Sequence, residues 1–477
     1  MSNTWFVPGA PLANGAGWRI WYSRPGGADF APQPLQILRA GQQINFSTNW
    51  KLLAPLAGLQ RRMGILTVTL GAPAPGQLFD VIIPESDQTR PLQWMAMPNA
   101  LDENGVAFLF GSCFWRDNDK VGGLSAALRE LCKRQPRPAF KLLCGDQLYQ
   151  DWPVSFSKGT PLDICAARYD LYWGDPAYQD ALRECPNFFL CDDHEFWNDY
   201  PEFQTHLERT WTDQSRKAYG LVTQNLYEYY QHSANGSPTP WGKVDLGAVS
   251  IFISDSRSQR TPIKIANGEP HFFLAPQWAD LETWMQDLRG PGVLVIGQPL
   301  YQEDGDWKDH SLSNFRSDYW RLYDLIARSH QGSNKEGRPH QILILSGDIH
   351  SGRYSLGRIA DPALQNEFSE LHELIASASS KIGPYPQKVS IQAPPGKISA
   401  DFQLPPIRLD VVMNNATGDN NLGLVEMYPG TNGRVRFRLS IWRVRPHDSR
   451  SWWDLLRREP EPTGPVIELF DRKIQLQ

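Results

Sequence analysis

Four short apolar runs end abruptly at side chains able to hold a cation. FLFGSC stops at Cys113, KLLCGDQLY at Asp146 and Tyr149, FFLCDDHE at Asp192, Asp193 and His194, and ILILSGDIH at Asp348 and His350. Apolar runs of this length with sharp polar stops predict buried strands, and α/β sheets place their ligands in the crevice beyond the C-terminal strand ends. Carboxylates, imidazoles, a thiol and a phenol gathered there would bind two or more cations, which points to metal-assisted hydrolysis.

Each segment has its own chemistry. A carboxylate such as Asp146 can bridge two cations, whereas a phenol such as Tyr149 is a strong ligand only for a highly charged ion such as Fe3+. Taken alone, GDxxY also reads as a Gly-Asp turn beside a packed tyrosine. In CDDHEFWND, Asp192, Asp193 and Glu195 crowd with His194 directly after a strand. Unpartnered, such buried charges would cost several kcal/mol each, so cations are expected among them. Asp193 is the preferred ligand, with His194 beside the phosphate as hydrogen-bond donor or general acid. Asp192, Glu195 and Asn198 are candidates to cap or support the loop. Asp348 and His350 alternate, so they would point to one side if strand geometry persists. Cys113 stands at a polar stop, unlike Cys132, Cys144, Cys165, Cys185 and Cys191, which read as small buried hydrophobes.

Stepping outward, the elements that must carry these residues alternate strand and helix from about residue 105. VAFLFGSC precedes a helix in GLSAALRELCKRQ, then the strand FKLLCGD, a helix around Arg168, Tyr169 and Tyr172, and the strand NFFLCDD. Residues 203–231 read as helix, VSIFISDSR as a strand, and FLAPQWADLETWMQDLRG as a helix between Pro276 and Gly290, feeding the strand VLVIGQPLY. Aperiodic YQEDGDWKDHSLSNF is a candidate rim or lid. DYWRLYDLIARSH resumes as helix before ILILSGDIH, and SELHELIAS reads as one more helix. RVRFRLSIWRVRP reads as an alternating, basic edge strand and SWWDLLRREP as a solvated helix with a tryptophan anchor. Residues 1–100 differ: ANGAGWRIWYS, GQQINFSTNW, MGILTVTLGAP and QLFDVIIPE suggest a small antiparallel β-domain, with the catalytic domain over 105–477.

Composition bounds the function. The chain has 477 residues, 41% of them hydrophobic and 21% charged, which suits a globular enzyme of two domains. A net charge of -5 argues against binding nucleic acid, since phosphate-backbone binding needs a basic surplus. The 18 tryptophans fit aromatic-lined clefts and thick aromatic packing equally. No run reaches the roughly 18 apolar residues of a membrane span. MSNTWFVPGAPLANG lacks the basic and apolar regions of a secretory signal, so a cytoplasmic location is expected, or a periplasmic or secreted one if a leader has been removed. The six cysteines form no CxxC pair, which fits free thiols.

The ordered set GSCFW, GDQLYxDWP, DDHEFWNDYP, SDSRSQR and SGDIHSG, with the PQW helix and the late SASS, resembles the alkaline phosphatase D (PhoD-like) family of metallophosphoesterases. GDxxY is also similar to the purple acid phosphatases. The resemblance implies an α/β fold with a calcineurin-like core: two facing mixed sheets, helices outside, metals at the strand ends, and an N-terminal β-domain. It implies that Cys113, Asp146 and Tyr149 hold Fe3+, that Asp146, Asp193, Asp348 and His350 serve divalent ions, Ca2+ or another, and that Arg257 faces the phosphate. The expected activity is phosphate-ester hydrolysis by a metal-activated water. The rivals are a phosphodiesterase or phospholipase D-like activity from the same site and a non-catalytic metal- or carbohydrate-binding protein.

Overall fold

Strands whose residues alternate between two partners build the N-terminal part. In the computed structural model, which describes residues 4–85, 90–120, 122–153, 159–263, 268–301, 311–360, 368–380, 409–444 and 466–477, eight strands fall between Trp5 and Met95. They are β1 (Trp5–Leu12), β2 (Gly17–Pro25), β3 (Gln36–Arg39), β4 (Gln42–Gln43), β5 (Phe46–Leu52), β6 (Arg61–Leu70), β7 (Leu78–Ile82) and β8 (Leu92–Met95). They form two antiparallel sheets, ordered β1-β2-β6-β5 and β4-β3-β7-β8. Trp18 packs edge-on against Phe79 and Trp94 at 5.5 and 6.1 Å, in the aromatic geometry that adds to area burial. Strand β1 was not expected because Pro8 and Pro11 lie within it. It is tolerated at the sheet edge, where the register shifts between these prolines, and its Pro8 carbonyl accepts a bond from Asn187 Nδ2 at 2.5 Å, tying the sheet to the rest of the chain.

The remaining strands form two larger sheets. β9 (Val106–Gly111), β10 (Pro138–Cys144), β11 (Asn187–Leu190), β19 (Asn421–Pro429), β20 (Val435–Val444) and β21 (Val466–Leu476) are ordered β11-β10-β9-β19-β20-β21. β12 (Gly242–Leu246), β13 (Val249–Ile253), β14 (Gly292–Val295), β15 (Ile342–Ser346), β16 (Gly352–Ala360), β17 (Phe368–Ile375) and β18 (Leu409–Thr417) are ordered β12-β13-β14-β15-β17-β16-β18. Both are mixed: β9, β10 and β11 run parallel, as do β13, β14, β15 and β17.

Period-two alternation explains the layering. Phe108, Phe110, Leu142 and Cys144 point into one core with Ile251, Val293, Val295, Leu343 and Leu345 of the other sheet, so the sheets face each other. The intervening Ala107, Leu109 and Leu143 pack outward against helices α1 (Gly123–Leu131), α2 (Pro161–Trp173), α3 (Pro176–Arg183) and α4 (Asp213–Tyr230). Leu294, Ile342 and Ile344 pack outward against α5 (Ala275–Gln286) and α6 (Arg316–His330). Strands covered on both faces read as the continuous apolar runs seen in the sequence. Each fully buried Leu, Ile, Val or Phe stabilises this arrangement by roughly 1.5–3 kcal/mol. The other five cysteines are buried, as expected of small apolar residues. No helix among the described residues is long and apolar enough to cross a membrane.

Several expectations are corrected. SELHELIAS is strand β17, not helix; the spacing of Leu371, Leu374 and Ile375 mimics a helical face because the strand is buried on both sides. Its polar residues are met across the ladder, Glu373 by Arg353 at 3.0 Å and His372 by the Tyr354 hydroxyl at 2.9 Å. β20 is not an edge strand: β19 and β21 flank it, and Arg438 pairs with Glu426, Glu468 and Asp471 from both neighbours. Helix α4 begins only at Asp213, where Thr212 caps it by accepting from Ser215 N at 3.1 Å. EDGDWKDH and SWWDLLRREP lie outside the described residues.

His330, at the end of α6, accepts a bond from Ile342 N at the start of β15 through Nε2 at 2.9 Å. Burial, with the neighbouring His372, pushes its imidazole down to about 3. The folded pKa lies below the unfolded value near 6.5, so the unfolded chain binds the extra proton first and stability is lost as pH falls from 6.5 toward 3. This group alone should remove about 3 kcal/mol by pH 4. Urea midpoints measured from pH 7 to 4 should therefore fall less steeply in His330→Gln than in the wild type; equal slopes would refute the assignment.

Candidate metal centre

One carboxylate assembles the loops that follow β10 and β11. Glu195, fully buried, accepts Asp146 N at 2.8 Å and Asp192 N at 2.9 Å on Oε2, and Gln147 N at 2.6 Å and Gln231 Nε2 at 3.3 Å on Oε1. Burial raises its pKa to about 7, against the backbone N–H groups that favour the anion. Close approach also needs Gly145: its φ is +92°, and a Cβ there would come within 2.5 Å of the Asp192 Cβ. Gly347 has the same function across the sheets, where a Cβ would meet Ser112 Oγ at 2.4 Å.

The strand ends then bring their ligand atoms together. Three groups form, each with donor atoms within 4.8 Å of one another: Cys113, Asp146 and His350; Asp146, Asp193 and His194; and Asp146, Asp192, Asp193 and Asp348. Asp146 belongs to all three. The Cys113 thiol donates to Asp146 Oδ2 at 3.2 Å, and the Tyr149 hydroxyl lies 2.9 Å from His350 Nε2, which puts the phenol at the Cys113 end of the cluster. Asp193 Oδ2 is held by Asp199 N at 2.7 Å and Asp146 Oδ1 by His194 N at 3.2 Å.

The donor set fits cations on its own chemistry. Asp192 Oδ2 and Asp193 Oδ1 are buried and no hydrogen-bond donor reaches them, where buried polar atoms are almost always partnered. Burial and the charge of Asp193 push Asp146 well above the usual carboxylate range, and burial lifts Asp192 to about 7 despite Arg257. Burial and the nearby acids also raise Cys113 and Tyr149. Cations removing this mutual repulsion would let the whole set ionise. Burial works against a charged His194, but Asp151 and Asp193 overcome it and raise its pKa well above the ordinary value.

The structure thus brings Cys113, Asp146, Tyr149, Asp192, Asp193, His194, Asp348 and His350 to one place. Asp348 and His350 do not reach it by alternation: strand geometry ends at Ser346, and both have positive φ, 69° and 50°. Arg257 lies beside Asp192. It is fully buried, with Nε on Asp192 Oδ1 at 2.6 Å and Nη1 on Tyr200 O at 3.1 Å, so it is a counter-charge beneath Asp192. Asn198 supports the loop, donating from Nδ2 to Asp199 Oδ2 at 2.8 Å. Asp192 does both jobs weighed for it, capping the short turn with Glu195 and joining the four-carboxylate group.

Two participants were missed. Asp151 lies 2.8 Å from His194 Nδ1 and orients the imidazole; its only signal was its place in GDQLYQDWP. Gln298 donates to Asp348 Oδ2 at 3.0 Å. It sits at the polar stop of the apolar run VLVIGQ, where an amide offers no cation-ligand signal.

The fold has relatives. No curated protein matches the sequence. A solved structure entitled "Structure of PhoD" is similar, with 12% sequence identity and a TM-score of 0.60 over 94% of this chain and 93% of that chain, a likeness of fold. The family model for PhoD-like phosphatases matches residues 108–403, a span that runs from β9 past His350 and so carries every strand end of the cluster. With more than half of the chain matched, this protein belongs to the PhoD-like phosphatase family.

Proposed function

We propose that the cluster is the catalytic centre of a metal-dependent phosphate-ester hydrolase, and that Cys113, Asp146, Tyr149, Asp193, Asp348 and His350 hold its cations. The observation that carries the reading is Asp146, whose carboxylate belongs to all three donor groups and is aimed by the His194 N–H on Oδ1. The thiol, phenol and carboxylate of Cys113, Tyr149 and Asp146 suit a ferric ion, and Asp146, Asp193, Asp348 and His350 suit a divalent ion such as Ca2+. Bound there, the ions would supply Lewis acidity and lower the pKa of a coordinated water.

The chain's own residues supply the remaining functions. Asp151 engages His194 Nδ1, leaving Nε2 as the nitrogen to hydrogen-bond a phosphate oxygen or return a proton to the departing alkoxide. Asp151 is itself fixed by Asn198 N at 3.0 Å, which keeps the imidazole in one orientation. Arg257 acts from below by neutralising Asp192, in place of the direct phosphate clamp its motif implies. The substrate is a phosphorylated small molecule.

One observation favours the diester variant, a phosphodiesterase or phospholipase D-like activity. Trp152, Phe203 and Trp211 are 45%, 49% and 54% exposed. Trp152 adjoins Asp151, His206 lies 3.9 Å from Asp151, and Trp211 donates to Thr205 O beside that histidine. Exposed aromatic groups in the segments that carry Asp151 and His206 suit a bulky second ester group.

Asp146→Asn should bind less metal and lose roughly three orders of magnitude or more in turnover while circular dichroism stays native; full activity would remove the basis of the reading. A phenolate on Fe3+ absorbs visible light, so iron-loaded protein should be coloured and Tyr149→Phe should lose the phenolate band while any Cys113 thiolate absorption remains; a colourless wild type containing stoichiometric iron would reject that role for Tyr149. If the aromatic rim receives a second ester group, Trp152→Ala should lower kcat/KM for an aryl phosphodiester about tenfold more than for a methyl phosphate ester. An equal loss on both substrates would remove the rim from the account.

A further inference from the structure

Gln298 is 1% exposed and follows β14, the strand beside β15. The backbone lines it up with the cluster: Ile296 N donates to Leu345 O at 2.9 Å and Gly347 N donates to Gly297 O at 2.9 Å, so the two strand ends leave the sheet together. The amide then bridges two charged groups, accepting from Arg260 Nη2 at 2.7 Å and donating to Asp348 Oδ2 at 3.0 Å. A guanidinium can only donate. Its bond therefore fixes which amide atom is the oxygen and forces the NH2 group onto Asp348, an orientation that otherwise must be assigned from the network.

Arg260 is in turn immobile. It is 5% exposed, its Nε donates to Ser256 O at 2.8 Å, and its guanidinium lies over the Phe315 ring at 4.8 Å. The far side of the segment is also anchored: Glu373 accepts Leu300 N at 2.6 Å and pairs with Arg353 at 3.0 Å. A buried network of this kind spends several polar groups on holding one side-chain amide against one carboxylate, and partners of this kind orient metal ligands and tune them.

We infer that Gln298, locked by Arg260, is the positioning residue for Asp348, setting the carboxylate so that it meets a divalent cation. The inference rests on the reading of Asp348 as a ligand. It assigns a function to a buried amide and to the buried arginine that orients it.

The test is a calorimetric Ca2+ titration of the full chain after chelation, comparing wild type, Gln298→Met, Asp348→Asn and the double variant. Gln298→Met keeps the volume and removes both bonds. It should weaken Ca2+ binding roughly 10- to 100-fold, and the double variant should bind no worse than Asp348→Asn alone, because the two act as one unit. Unchanged affinity in Gln298→Met, or losses that add in the double variant, would overturn the inference and leave the metal reading standing. A wild-type chain that takes up neither Ca2+ nor Mn2+ overturns both. Should Gln298→Met fail to fold, Gln298→Asn keeps the amide on a shorter stem and must show a weakened titration; wild-type affinity there also defeats the proposal.

Discussion

The centre depends on the fully buried Glu195 carboxylate, which gathers four N–H donors from three segments. Two of those donors are the backbone amides of Asp146 and Asp192, so the turn after β10 and the turn after β11 are fastened to one anion. Charge-assisted bonds of this kind are worth about 1.5–3 kcal/mol each, and a donor left without its acceptor costs a comparable desolvation penalty. A glutamine cannot replace it, since its NH2 group would face an N–H. The anion is therefore a structural requirement of the ligand geometry, although it touches no cation itself.

With that fastening in place, the two facing sheets converge by their glycines. Gly145 admits Asp192 against the β10 turn, and Gly347 admits the Asp348 loop against Ser112. Ser112 Oγ then receives Asp348 N at 3.1 Å, and Ser377 Oγ receives His350 N at 3.0 Å while donating to Cys113 Sγ at 3.2 Å. Ligands from β9 and β10 in one sheet and from β15 in the other are thus cross-tied by side chains that bind no metal. That places Cys113 and His350, far apart in sequence, in one donor group.

The strands and the ligand types could be read from the sequence because burial on both faces writes long apolar runs, and because Asp, His, Cys and Tyr at their ends have few structural reasons to cluster. What escaped reading follows from the same physics. β17 carries His372 and Glu373 in its interior, where cross-strand partners on β16 and, for Glu373, the Leu300 N–H make them acceptable. Arg257 was placed on the phosphate by the resemblance of its motif, and nothing local in SDSR shows that its Nε would meet Asp192. Gln298 and Asp151 were missed because their functions lie in what they hold, and a holding residue is defined by its partners. The alternation of Asp348 and His350 pointed to the right region by the wrong geometry, since two residues with positive φ deliver them there.

The electrostatics of the finished site argue for the cations from a second direction. The quartet of Asp146, Asp192, Asp193 and Asp348, with Asp151 and Glu195 behind it, is opposed by Arg257, Arg260 and His194, so among the described residues buried anions outnumber buried cations around the cluster. Solvation by the protein alone would leave that imbalance to be met by protonation, which the raised pKa of Asp146 and Asp192 expresses. Yet Asp193 is held below the usual range although burial alone would raise it, because His194, Arg257 and the Asp199 N–H favour its charged form. A site selected only for stability would have replaced surplus buried acids with apolar residues of similar volume. Retaining them, cross-tied and aimed at one another, is what binding a multivalent ion requires.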